Sequence, residues 1–281
     1  MSQTTGQRDS KTHLGVSVPS LPATMLVPGD PARVLEIGAH FDDYRIVGEN
    51  RECLTIIGHY RGMEIGACST GMGGPSTEIA VVELMHLGVK NLIRVGTSGG
   101  LDPTVRPGDL IIATGCVRYT GAADAYVPQN YPAVAHHELL MALIEACETL
   151  RFRYHVGLGL TVDTFYATKP HLIRSETPVH TQSEHLINQW AEAGVLQVEM
   201  ETATLFVLGT LLGLRTAAVC TAGSNVALKL RPPEPPSNSP AITAACNAAL
   251  TLKEWDRLAE SAGGRFRPSL LAEKRKDAED D

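Results

Sequence analysis

Short runs rich in β-branched and apolar residues alternate with longer stretches of helical periodicity along most of the chain. Strand patterns fall at 25–27, 63–69, 92–95, 109–117, 154–161, 195–199 and 216–220, most of them followed by a glycine turn. Between them, 76–87, 135–150, 185–193, 202–212 and 241–258 carry helix-compatible patterns of adequate length. This alternation predicts an α/β protein: a single-domain three-layer α/β/α sandwich around a central mixed, mainly parallel sheet. In such a fold the site is expected at the C-terminal ends of the strands. The 281 residues show no internal repeat and no linker, so one large domain is expected over 13–262. It is flanked by an expected disordered segment at 1–12 and a charged, flexible tail at 263–281. Residues 229–240 hold five prolines without periodicity and read as a long loop, functional or disordered.

Composition removes several classes of function. A formal charge of -7 sets a repulsive field against nucleic acid and acidic membranes, so neither is an expected partner. The longest apolar run, 202–214, stops at Arg215, too short to span a bilayer, and the polar first residues lack a signal peptide's apolar stretch. The six cysteines form no C-x-x-C pair, which argues against zinc or a disulfide framework and for a reducing cytoplasm.

Four motifs carry chemistry. Val27-Pro28-Gly29-Asp30-Pro31-Ala32-Arg33 is a strand end, a glycine turn and a helix start, where backbone N–H groups and Arg33 can hold an anion. A plain chain reversal is the blander alternative. Cys68-Ser69-Thr70-Gly71-Met72-Gly73-Gly74-Pro75-Ser76 lets backbone approach a ligand closely, or else is a packing turn capped by Ser76. It has neither the Lys-Ser/Thr of a P-loop nor the order of a dinucleotide fingerprint. Leu92-Ile93-Arg94-Val95-Gly96-Thr97 places an arginine inside an apolar strand, where it must meet an anion or a carboxylate. Val198-Glu199-Met200-Glu201 sets two carboxylates on one face if extended, one of them able to accept from vicinal sugar hydroxyls. Glu201 could also serve only the dipole of the following helix.

Taken in this order and spacing, with Asn50-Arg51-Glu52 between the first two, these motifs resemble the nucleoside phosphorylase family, and most its uridine phosphorylase branch. The likeness runs from about His13 to about Leu258. It implies a pentosyltransferase that splits a nucleoside, uridine or a related pyrimidine nucleoside, with inorganic phosphate into base and ribose 1-phosphate. Gly29, Arg33, Arg94 and Thr97 would hold phosphate, with Arg51 from a neighbouring subunit. Met200, Glu201 and Thr97 would hold ribose, with His13 of that neighbour closing over its 5′ end. Arg94 and Glu201 would be catalytic. The implied assembly is a homo-oligomer with shared active sites, a hexamer of three dimers. No cofactor is required beyond phosphate as co-substrate; some relatives carry a structural potassium ion, which here would implicate Glu52, Met72 and Ser76.

The base end departs from the family pattern. Phe165 can stack on a base, with Glu199 beside it, but the glutamine and arginine of uridine-cleaving relatives are replaced by Lys169 and His171. A further arginine is replaced by Val226, and the proton-donating aspartate of purine-cleaving relatives by Gly223. Three rival readings therefore stand: a purine nucleoside phosphorylase, a hydrolytic nucleosidase and a non-catalytic nucleoside-binding protein. The loop from 229 would act as a lid.

Overall fold

The structure, a computed structural model, describes residues 13–168, 183–264 and 266–271. The elements run β1(Thr24–Leu26), α1(Pro31–Gly38), β2(Asp43–Asn50), β3(Cys53–Tyr60), β4(Met63–Cys68), α2(Gly74–His86), β5(Asn91–Gly100) and β6(Leu110–Tyr119). They continue as α3(Gly121–Asp124), β7(Ala133–Val134), α4(His137–Thr149), β8(Tyr154–Val162), α5(Ser183–Glu192), β9(Gln197–Glu199), α6(Thr202–Leu212), β10(Arg215–Asn225) and α7(Ser239–Ser261).

All of these strands join one mixed sheet. One parallel set runs β4–β1–β5–β10 and a second runs β6–β8–β9. The two sets meet antiparallel twice, at β10–β6 and at β5–β9. That double junction closes β5, β10, β6, β8 and β9 into a ring. The sandwich is thus as expected in its layers, and the closure adds a barrel-like end to it.

Period-two alternation sorts the strand side chains between two cores. Leu26, Ile93, Val95, Ala217 and Val219 pack with α1, α4 and α7, whereas Met25, Val27, Leu92 and Ala218 pack with α2 and α6. Arg94 shares the face of Leu92, so the alternation turns it toward α6. That helix is apolar all round, and residues 202–209 are all buried, as a helix covered on every side requires. Gly213 ends it in the left-handed region at φ 69°.

Two antiparallel strands, β2 and β3, go beyond what the pattern predicts. They form a hairpin whose tip is Arg51 and Glu52, with Arg51 at φ 54°. The C-terminal boundary also differs from the expectation of a tail from 263. Phe266 stacks on Trp255 at 4.5 Å between ring centroids and Leu270 is buried, so 266–271 pack on α7. Of the loop expected over 229–240, residues 229–238 carry no regular helix or strand, whereas Ser239 and Pro240 already open α7, where proline suits the first turn. All six cysteines are free and buried. No helix among the described residues is long and apolar enough to cross a membrane.

Candidate active site

The first two motifs are laced together by their backbones. Thr70 N donates to Pro28 O at 2.9 Å and Gly71 N to Gly29 O at 3.0 Å. A Cβ on Gly29 would stand 2.9 Å from Gly71 O, so only glycine allows this approach. Asp30 caps α1 by accepting from Ala32 N at 2.8 Å, with Pro31 opening the helix. The cap fixes Arg33 in the first turn, where Nη1 donates to Val95 O at 3.3 Å, midway along β5. Its Nε is buried without a partner among the described residues. Burial and then the nearby Arg94 charge push the Arg33 pKa down. Two guanidinium groups therefore share one locality, beyond the C-terminal end of β1 and beside the middle of β5.

Arg94, 5% exposed, meets carboxylates on two sides. Nε donates to Glu199 Oε2 at 3.1 Å and Nη2 donates to Glu201 Oε2. Burial opposes the Arg94 charge, but Glu201 and Glu199 outweigh it and raise the pKa. Gly96, two residues on and on the same face, makes the slot: a Cβ there would lie 2.8 Å from Cys220 Sγ and 3.0 Å from Arg94 Nη2. The other oxygen of Glu201 accepts from Gly73 N at 2.6 Å, so the third motif, the glycine loop and the fourth motif converge. Burial raises the Glu201 pKa and Glu199 adds to this, against the opposing pull of Arg94 and the Gly73 N–H.

Glu199 corrects an expectation. The sequence points it at the base, yet its carboxylate accepts from Thr161 Oγ1 at 2.5 Å, Arg94 Nε at 3.1 Å, and the N–H groups of Glu201 and Thr202 at 2.9 Å each. Its side chain is 1% exposed. Four donors inside the chain leave this group facing its own fold. Thr161, at the C-terminal end of β8, is a member of the cluster that sequence reasoning misses. Its one available signal is its position at a strand end in the ring, because the partner lies 38 residues away.

The remaining candidates fall around this cluster. Thr97 is exposed near the end of β5, and Met200 is half-buried beside the small core of Leu101, Leu160 and Val198. Phe165 is 47% exposed and meets the exposed Tyr166 edge to face at 5.3 Å. Lys169 and His171 lie outside the described residues. Val226 sits over Gly99, where a Cβ would approach it to 2.5 Å, and Asn225 spends its side chain on Asp102 O, Val105 O and Leu228 N. Gly223 stands at the β10 bulge, where a Cβ would meet only Ser98 O, at 3.6 Å.

His13 and Arg51 sit together on the hairpin side of the molecule. Asn50 Nδ2 donates to His13 O at 2.9 Å, and His13 Nδ1 lies 2.8 Å from Glu83 Oε1, with the ring half exposed. Glu52 and Ser76 flank Gly71, and Ser76 Oγ donates to Met72 O at 2.9 Å while Met72 is 84% exposed.

Two arginines, two buried carboxylates and the glycine loop thus gather in one cluster beside the closed ring of strands. The family model of the phosphorylase superfamily matches residues 24–252, and the chain belongs to that family. It is 40% identical over 243 residues to the uridine phosphorylase of Thermococcus kodakarensis, covering 86% of each chain. It is 36% identical over 214 residues to the guanosine phosphorylase of Halorubrum lacusprofundi, covering 76% of this chain and 83% of that one. Among solved structures, uridine phosphorylase from Vibrio fischeri, complexed with 6-hydroxy-1-naphthoic acid, matches with a TM-score of 0.70 at 32% identity. That match covers 86% of this chain and 94% of the other.

Proposed function

We propose that the chain cleaves uridine, or a related pyrimidine nucleoside, with inorganic phosphate to give the free base and ribose 1-phosphate. The observation that carries this reading is the nearness of a half-buried Arg33 to a buried Arg94 that holds Glu201: two guanidinium groups in one locality suit an oxyanion, and the carboxylate beside them suits vicinal hydroxyls. Phosphate held by Arg33, Arg94, Thr97 and the Gly29 turn attacks C1′ from beneath the sugar. The C1′–O bond forms as the C1′–N bond breaks, and the electron pair leaves with the base. Glu201 and Met200 hold the ribose while positive charge builds at C1′, where an anion nearby favours the transition state. No covalent nucleophile and no redox step is needed.

In the same reading Phe165 stacks on the base, and Lys169 and His171 meet its polar edge. Arg51 and His13 enter from a neighbouring subunit of a dimer-based hexamer. For His13 this requires release from Glu83 or retention of that contact as a support. Glu52, the Met72 carbonyl and Ser76 are the groups that would hold a potassium ion at that interface. Six unpaired thiols suit a reducing cytoplasm. Residues 1–12 and 272–281 lie outside the described residues.

A panel of uridine, thymidine, inosine and adenosine, each with and without phosphate, tests the assignment by chromatography of the released base. Uridine is expected to be cleaved fastest, and only with phosphate. The guanosine phosphorylase relative supports a second reading, in which purine nucleosides are the substrates. Cleavage of inosine but not uridine would establish it. Unchanged turnover without phosphate would make the enzyme a hydrolase, and binding without any product a sensor.

A further inference from the structure

One buried anion holds both halves of the site. The two oxygens of Glu199 accept from four donors drawn from two strands and a helix start: Thr161 on β8, Arg94 on β5, and the N–H groups of Glu201 and Thr202 where α6 begins. The hydroxyl of Thr161 in turn accepts from Ala203 N at 3.0 Å, so the same pair satisfies three successive N–H groups at the head of α6.

We propose that Glu199 is a positioning residue for phosphorolysis, which together with Thr161 fixes Arg94 for phosphate and Glu201 for ribose while touching no substrate itself. The inference rests on the phosphorolysis reading. Its physical basis is fourfold contact on a carboxylate that solvent does not reach. By taking the Nε edge of Arg94, Glu199 turns the two Nη groups outward, one of them to Glu201. Its charge also holds Arg94 in place against the neighbouring Arg33 cation. By binding the backbone N–H of Glu201, it sets the direction in which the Glu201 carboxylate leaves the chain, toward Gly73 N. A fixed second layer of this kind sets the precision of the groups that meet the ligand.

The experiment is steady-state kinetics on Glu199→Gln and Thr161→Val, with phosphate as varied substrate and with ribonucleosides that share the sugar and differ only in the base. Wild-type dependence on phosphate, measured first, decides the phosphorolysis reading separately from this one. For Glu199→Gln, kcat/KM for phosphate is expected to fall by about a hundredfold, with KM for phosphate raised about tenfold. The relative preference among bases is expected to stay at its wild-type order and ratio. Thr161→Val should show the same signature more weakly, and it alone carries the test if Glu199→Gln does not fold. A loss confined to some bases would make Glu199 a base contact and overturn the proposal. A phosphate KM within about twofold of wild type, alongside a lowered Tm, would reduce the cluster to a structural support and overturn it equally.

Discussion

Arg94→Met is expected to lower kcat/KM by about a thousandfold, equivalent to roughly 4 kcal/mol of transition-state stabilisation. Arg94 is the side chain that touches Glu201 while sharing the locality of the second arginine. In the proposed reading, losing it removes a phosphate anchor, and it also frees Glu201 from its ion pair. The fold is expected to suffer as well. Glu199 and Glu201, both nearly solvent-free, would be left side by side without their cation. Breaking a buried pair from one side costs about 3–5 kcal/mol, part of which Glu201 recovers by taking up a proton. Lost rate with an untouched fold would suit an exposed arginine, and Arg94 is not one. Kinetics with phosphate varied, together with thermal unfolding, measure both effects. A near wild-type rate would remove Arg94 from the mechanism.

Glu201→Gln is the second large effect, a fall in kcat/KM of about a hundredfold or more with uridine. The amide keeps an oxygen for Gly73 N but can no longer offer a charge to Arg94 or a second acceptor to the ribose hydroxyls. The loss should therefore be smaller with 2′-deoxyuridine, which lacks one of those hydroxyls. The pH profile supplies an independent readout. Burial raises the Glu201 pKa, so the anion needed for ribose is lost as pH falls through that raised value. The acid limb of the wild-type profile should accordingly lie above the range of an ordinary carboxylate and be absent from the glutamine variant. Equal losses with both sugars, or an unchanged acid limb, would show that Glu201 does not grip the ribose.

Much of this is readable in the residue pattern, and the parts that are not share a cause. Glycine turns after strands, Pro31 at a helix start and Arg94 inside an apolar strand are local signals, and each of them marks a place where the folded chain needs it. For Arg94 the pattern leaves two partners open, an anion or a carboxylate. The fold supplies two carboxylates and brings Arg33 beside them. What stays hidden is non-local. Closure of the ring depends on β5 reaching both β10 and β9, which no window of sequence displays. The β2–β3 hairpin escapes notice because its tip is Arg51-Glu52, without the glycine or asparagine that usually announces a tight turn. Glu199 is misread as a base contact because the exhaustion of its acceptors depends on Thr161 and Arg94, which arrive from distant strands.

The base end is the least legible, and for a chemical reason. Recognition of a base edge rests on a few polar groups on loops, and here Lys169, His171 and Val226 stand where relatives carry other residues. Val226 is committed to packing over Gly99, so it offers no donor to a leaving base. In the proposed reading, selectivity then rests on stacking at Phe165.

In the proposed reaction the two neighbouring arginines hold phosphate as the attacking group. Phosphorus NMR of a reaction containing uridine and inorganic phosphate tests it most directly. One equivalent of ribose 1-phosphate should appear for each uracil released, and the inorganic phosphate signal should fall in step. Release of uracil with free ribose and an undiminished phosphate signal would contradict the account.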